Sequence, residues 1–337
     1  MRIKLGLLIF IMSTSLAFSQ GNQLWQKQSI SKNTSIKSSK QNLPQTNLFS
    51  LNLEDMKAAL VDAPKRALNS RASNVILSFP NSEGKFENFR IIEASVLSPE
   101  LQARYPDIRS YAGQGIEDPS AIIRFSISPL GFQSMRISGN QPASFIEVYS
   151  DDLSQYFVFK RADKIDFAND FECSVTESVN RAMNSGTGMR NADDSILRTY
   201  RLAVSATGEY TAYHGGTKAL ALAAIVNTMT RVNGIFEVDF NVTMELIGNT
   251  DAVIYTSTSS DPYGNTTSGY NSALQSTLSS VIGESNYDIG HLFANLQNNG
   301  NAGCIGCVCV NNQKGSGWTS ATIPDGDFFD VDYVAHE

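Results

Sequence analysis

Residues 225–247 read IVNTMTRVNGIFEVDFNVTMELI, and within them the spacing of the apolar residues changes period. Upstream, Thr217 is placed to cap a helix, after which Leu222, Ile225, Val226, Met229, Val232 and Phe236 recur at steps of three and four, the stripe of an amphipathic helix. From Val238 the step becomes two. Val238, Phe240, Val242, Met244 and Leu246 alternate with Asp239, Asn241, Thr243 and Glu245, which predicts a strand with one wet face. A long helix running into a half-buried strand is the unit of a layered α/β domain, so this stretch sets the fold class of everything around it.

Working outward, TYRLAVSA (199–206) alternates and reads as a strand ahead of the helix. AVIYT (252–256) reads as another, NSALQSTLSSVIG (271–283) as a second helix, and YDIGHLFANL (287–296) as a strand followed by a cysteine-bearing strand. DFFDVDYVAHE (327–337) closes the sequence as a helix capped by Asp330 or Asp332 and carrying His336 and Glu337. Residues 198–337 are therefore expected to form a twisted mixed sheet with helices against it.

The preceding region reads differently. From residue 48 to 165 short alternating runs (NVILSF, FRIIEASV, AIIRFSIS, FQSMRIS, SFIEVYS) are broken by turn signals, the pattern of a β-rich domain, with LEDMKAALVDAP (53–64) as one short helix. Residues 20–47 are poor in apolar side chains and read as a mobile lead-in. Residues 166–197 are polar and Gly-rich at the centre, a linker whose GTGMR segment, Gly186–Arg190, is an expected cleavage site. The start, MRIKLGLLIFIMSTSLAFSQ, has Arg2 and Lys4 before an apolar run and small residues at 17 and 19, which reads as a signal peptide over 1–19 and predicts secretion, with no membrane span once it is removed. The net charge of −7 with scattered Lys and Arg gives nucleic acid nothing to hold.

Export also changes the reading of the four cysteines, since thiols in an oxidising compartment pair unless something holds them. Cys304, Cys307 and Cys309 crowd into NAGCIGCVCV and read as disulfide partners, with the odd one paired to a cysteine the chain does not include; Cys173 stands alone mid-chain, and one reading of it is a buried thiol or a disulfide to that cluster. A His-Glu pair becomes specific chemistry when a second His follows four residues after the first, so that one helical face offers two imidazoles to zinc with the Glu beside them as general base. His336-Glu337 is the opening of such a motif, and the sequence is expected to be a fragment cut inside it.

Residues 198–337, from RTYRLAVSATGEYTAYHGGT to the final AHE, resemble the reprolysin-like branch of the metzincin zinc metalloproteases, and LSFPNSEGKFENFRI and SYAGQGIEDPSAIIRFSISPLGF resemble the pro-domain of secreted bacterial members. The resemblance implies a secreted zinc endopeptidase made as a zymogen. His336 would be the first Zn²⁺ ligand, Glu337 the general base, and Cys173 a ligand that occupies the metal in the latent form only. It also implies extended polypeptide substrates, added as a strand along an edge formed by about Asp288 to Asn295, and an activating protease. One His cannot hold catalytic zinc, so the chain itself is expected to be inactive. Two rivals stand beside this reading: a zinc enzyme whose third ligand is a distant Glu, and a secreted binding or adhesion module that kept the fold and lost its ligands. His291 reads as a strand histidine satisfied by backbone and His214 as a turn residue. Asp325, Asp327, Asp330 and Asp332 read as helix caps and a solvated loop rather than a calcium site.

Overall fold

The computed structural model describes residues 24–29, 35–37, 47–66, 73–163, 172–173 and 196–337. The expected signal peptide and the Gly186–Arg190 segment lie outside them. In chain order the first elements are β1 (Trp25–Gln28), β2 (Leu48–Leu51), α1 (Leu53–Ala59), β3 (Ile76–Pro80), β4 (Phe86–Glu93), α2 (Pro99–Arg104), β5 (Arg109–Gly115), β6 (Ile122–Ser128), β7 (Gly131–Ile137), β8 (Ser144–Val148) and β9 (Gln155–Lys160). The nine strands form one antiparallel sheet in the order β1-β2-β9-β8-β7-β6-β5-β4-β3. Its two end strands are in contact: the rings of Trp25 on β1 and Phe79 on β3 are 6.4 Å apart. The sheet is therefore curled, and Phe125, Phe132 and Tyr156 fill the interior with Trp25 packed edge-on against Phe132 and Tyr156.

One expectation fails here for a physical reason, and one strand went unread. Residues 25–28 of the lead-in expected to be mobile form β1, because Trp25 is 2 % exposed inside the aromatic interior. Strand β9 has no alternation to detect: Tyr156, Phe157, Val158 and Phe159 are all buried, because the sheet is covered on both faces.

The second covering is the C-terminal region itself. Its elements are β10 (Glu172–Cys173), β11 (Arg198–Ala206), α3 (Gly208–Tyr213), α4 (Lys218–Phe240), β12 (Val242–Leu246), α5 (Tyr270–Thr277), β13 (Ile289–Ala294), β14 (Asn299–Asn301), β15 (Gly317–Ser320) and α6 (Phe328–Val334). The sheet order is β10-β14-β15-β13-β11-β12, mixed as expected, with β14 antiparallel to β15 and the other pairs parallel. Helix α4 begins at the Thr217 cap, whose side chain accepts from the Leu220 amide, but ends three residues later than the alternation implies. Asn241 stops it in the left-handed conformation (φ 52°), leaving Val238 and Phe240 on the helix and 56 % and 53 % exposed. The 252–256 stretch makes a 3₁₀ turn (Thr250–Val253) and one bridge, Ala206 to Ile254, instead of a strand, and the three cysteines sit in a loop between β14 and β15. β13 lies between β15 and β11, so Asp288–Asn295 is not a sheet edge, and the expected substrate strand cannot add there.

Helix α4 is apolar and long enough to cross a bilayer, yet it lies between the two sheets. Its apolar stripe (Leu222, Ile225, Val226, Met229, Val232) packs on Leu202, Val204 and Leu246 of the C-terminal sheet. Its other face is polar and buried too: Asn227 accepts from the Ser126 hydroxyl of β6, and Arg231 pairs with Glu147 of β8 at 2.9 Å.

Candidate active site

The site is built at the end of α6. Phe329 anchors that helix in the core, its ring 5.5 Å from Phe293 on β13 and 6.2 Å from Tyr210 on α3. Tyr333 and Val334 are buried in the same cluster. Asp330 does not cap the helix. It lies inside it, 2 % exposed, accepts from the Thr228 hydroxyl at 2.6 Å and pairs with Arg231 at 2.8 Å. Asp332 is likewise interior to the helix and pairs with Arg161 at the end of the N-terminal sheet. The residue at the helix start is Asp327, which is fully buried, so this acidic run is not a solvated loop. Burial raises the Asp330 carboxyl to about 6, against the opposing pull of Arg231 and the Thr228 hydroxyl.

Residues 335–337 then turn out of the helix, and the Glu337 amide closes the last turn on the Tyr333 carbonyl at 3.1 Å. His336 is exposed, and Glu337 is partly buried with its side chain against Gly300 of β14. The approach is close enough that a Cβ on Gly300 would sit 2.4 Å from Glu337 Oε1 and 2.6 Å from its Cγ. Only glycine leaves that space.

β10 completes the arrangement. It lies parallel on the outer side of β14, with Glu172 opposite Asn299 and Cys173 opposite Gly300. The register thus brings the backbone of residue 173 beside the same glycine that Glu337 abuts. His336, Glu337 and Cys173, more than 160 positions apart in sequence, share one end of the C-terminal sheet.

His291 and His214 lie on a strand and at a turn as expected, but the partner of His291 is a side chain rather than the backbone, and the odd cysteine is unpaired. His291 is buried on β13, its Nε2 2.8 Å from the Thr319 hydroxyl, and burial lowers its pKa to about 4, so it is a neutral core group. His214 ends α3 ahead of Gly215, with Nε2 3.1 Å from the Pro324 carbonyl. Cys304 and Cys307 form a disulfide, and Cys309 is a free, exposed thiol whose amide donates to the Asp288 carbonyl. Sequence reasoning singled out neither Gly300 nor Arg231.

A catalytic zinc takes three protein donors. The exposed imidazole of His336, one residue from a carboxylate, fits one of those positions. Among the described residues no three His, Cys, Asp or Glu side chains converge as a metal site, so those residues alone do not complete one.

Residues 196–337 match the model of a protein family described as metallopeptidase family M12B, reprolysin-like. That part of the chain is thus similar to reprolysin-like metallopeptidases, which supports a metalloprotease class for it. No curated protein matches the chain.

Proposed function

We propose that this chain belongs to the precursor of a secreted zinc endopeptidase, with residues 48–165 as a pro-domain, 166–197 as the linker and 198–337 as the N-terminal part of the catalytic domain. The observation that carries the reading is β10 on the outer side of β14. An extended substrate adds as a strand to a sheet edge, where main-chain hydrogen bonds give affinity with little demand on side chains. Among the described residues, the strand beside Glu337 that could offer such an edge is β14, and a segment of the preceding chain lies on it. In a precursor that is where a blocking segment belongs.

Two further features support it. The face of α4 turned to the N-terminal sheet carries polar groups (Asn227, Arg231), as suits a surface that must later meet water. Cys173 enters the chain opposite Gly300, and a thiolate there is a strong ligand for zinc. Zinc, when bound, supplies the Lewis acidity that lets water react near neutral pH. His336 would hold it together with two donors from a polypeptide continuing past Glu337. Glu337 would take the proton of the attacking water and hand it to the leaving amine.

A polypeptide that continues through those donors is expected to cleave protein substrates once residues 1–190 are removed, to stop on treatment with a chelator, and to recover with Zn²⁺. Hydrolysis that survives exhaustive chelation would overturn the reading. In the uncut form Cys173→Ser should raise basal activity, because a hydroxyl is a far poorer zinc ligand than a thiolate. A Cys173 disulfide found by mass mapping of the non-reduced chain would refute that part.

A further inference from the structure

The C-terminal sheet has two ends, and the N-terminal chain occupies both. At one, β10 contributes two residues beside β14. At the other, the β4–β5 connection lies on the outer edge of β12: the Leu246 amide donates to the Val96 carbonyl at 2.7 Å, and the Ser98 amide donates to the Leu246 carbonyl at 3.0 Å. Ser98 then caps α2, which crosses the turn after β12 so closely that a Cβ on Gly248 would sit 2.3 Å from Glu100 Oε2. Arg104 and Tyr105 both reach Asp251, at 2.9 and 3.0 Å. Val96, Leu97, Leu101 and Ile108 are buried in the same cluster as Leu202, Val204, Leu222 and Leu246.

We propose that the outer edge of β12, with the apolar slot beneath it, is a docking surface for residues 94–108 that keeps the N-terminal region bound after the chain is cut between residues 174 and 195. Cleavage then leaves a two-chain complex, and its dissociation is a separate, later step. The two ends of the sheet differ in what holds them. A linker raises the effective concentration of a short segment only while it is intact, so the two-residue β10 loses much of its hold when cut. At β12 the hold comes from the contact itself: a main-chain ladder on an edge otherwise open among the described residues, and side chains built into the neighbouring core. Arg66 and Arg124, both on Glu237 of α4, add a second attachment along the same side. The biological meaning of the cut rests on the reading above; the retention does not.

The test is a nick after Arg190 by trace trypsin in the full chain, followed by native gel filtration and analysis of the peak. Both pieces are expected to co-elute, and Leu97→Asp is expected to weaken their association by about a hundredfold or more, as for loss of a core leucine. Glu54→Gln, on the exposed side of α1, should leave them together. Separation of the wild-type pieces in native buffer, or unchanged retention in Leu97→Asp, overturns the proposal. If Leu97→Asp loses its near-UV dichroism before cutting, hydrogen exchange in the nicked wild type decides instead. The Leu246 amide should stay as protected as in the uncut chain, and its exposure would be decisive against docking. Lack of peptidase activity in a separated C-terminal piece bears on the proposed function and leaves this result untouched.

Discussion

Replacing Arg231 with Met is expected to destabilise the protein by about 3–5 kcal/mol, the scale for stripping the partner from a buried charge. Arg231 is 1 % exposed and is shared by two carboxylates from different parts of the chain, Glu147 on β8 and Asp330 on α6. Burial works against its charge, but Glu147 and Asp330 outweigh that and raise its pKa. Without the guanidinium both carboxylates are left in a site built for one cation. Against a typical total of about 5–15 kcal/mol the loss is large, and urea unfolding followed by tryptophan fluorescence would measure it. Replacing all three charges with apolar side chains of similar volume should recover most of it, since a buried ion group is seldom better than a packed core. A loss under about 1 kcal/mol in Arg231→Met would mean water reaches the triad.

The same cluster fixes a pH dependence. The Asp330 carboxyl is raised by burial to about 6 in the folded chain, from an ordinary value of 3.8. The folded state therefore binds its proton more tightly than the unfolded state does. Its contribution is fully present below the ordinary value and is lost as pH rises through about 6. Asp330→Asn removes the charge and keeps a carbonyl acceptor for Thr228 and Arg231. Its stability relative to wild type should accordingly improve between pH 5 and pH 8; a flat or falling difference would show that Asp330 is ionised throughout.

How much of this was legible depended on whether a residue's burial was set by its own element. Helix α4 and the order of strands β11, β12 and β13 followed from periodicity because their apolar stripes face the core of their own sheet. Arg231 and Asn227 carried the opposite message. On a helix they read as a solvent face, and the sequence contains no local sign that a second sheet covers them. The same covering erased the alternation of β9. Sheet position was also out of reach: the alternation of YDIGHLF predicts a strand, but whether that strand is central or at an edge depends on pairings made elsewhere in the chain. At the site, the expectation for the His-Glu dipeptide came from local chemistry, whereas Gly300 is met by the side chain of Glu337, a residue 37 positions later.

That contact gives the last expectation, for a polypeptide in which the motif is complete. Glu337→Gln should keep the metal and lose about 10²- to 10⁴-fold in kcat, because an amide of nearly the same shape cannot accept the proton of water. Gly300→Ala should reach a related result by another route. The added Cβ would fall 2.4 Å from Glu337 Oε1 and 2.6 Å from its Cγ, so the carboxylate must swing away from its place above β14. Misplacing a proton acceptor by about 1 Å is enough to cost on the order of 10²-fold in rate. The two variants separate the group from its position. Glu337→Gln should be dead at every pH, whereas Gly300→Ala should keep a pH profile of wild-type shape at reduced kcat with KM little changed, since the basic group survives. Metal content by atomic absorption should match wild type in both. Near wild-type turnover in Glu337→Gln would assign the proton to another group. A Gly300→Ala enzyme whose KM rises while kcat holds would place Gly300 in substrate binding rather than behind the base.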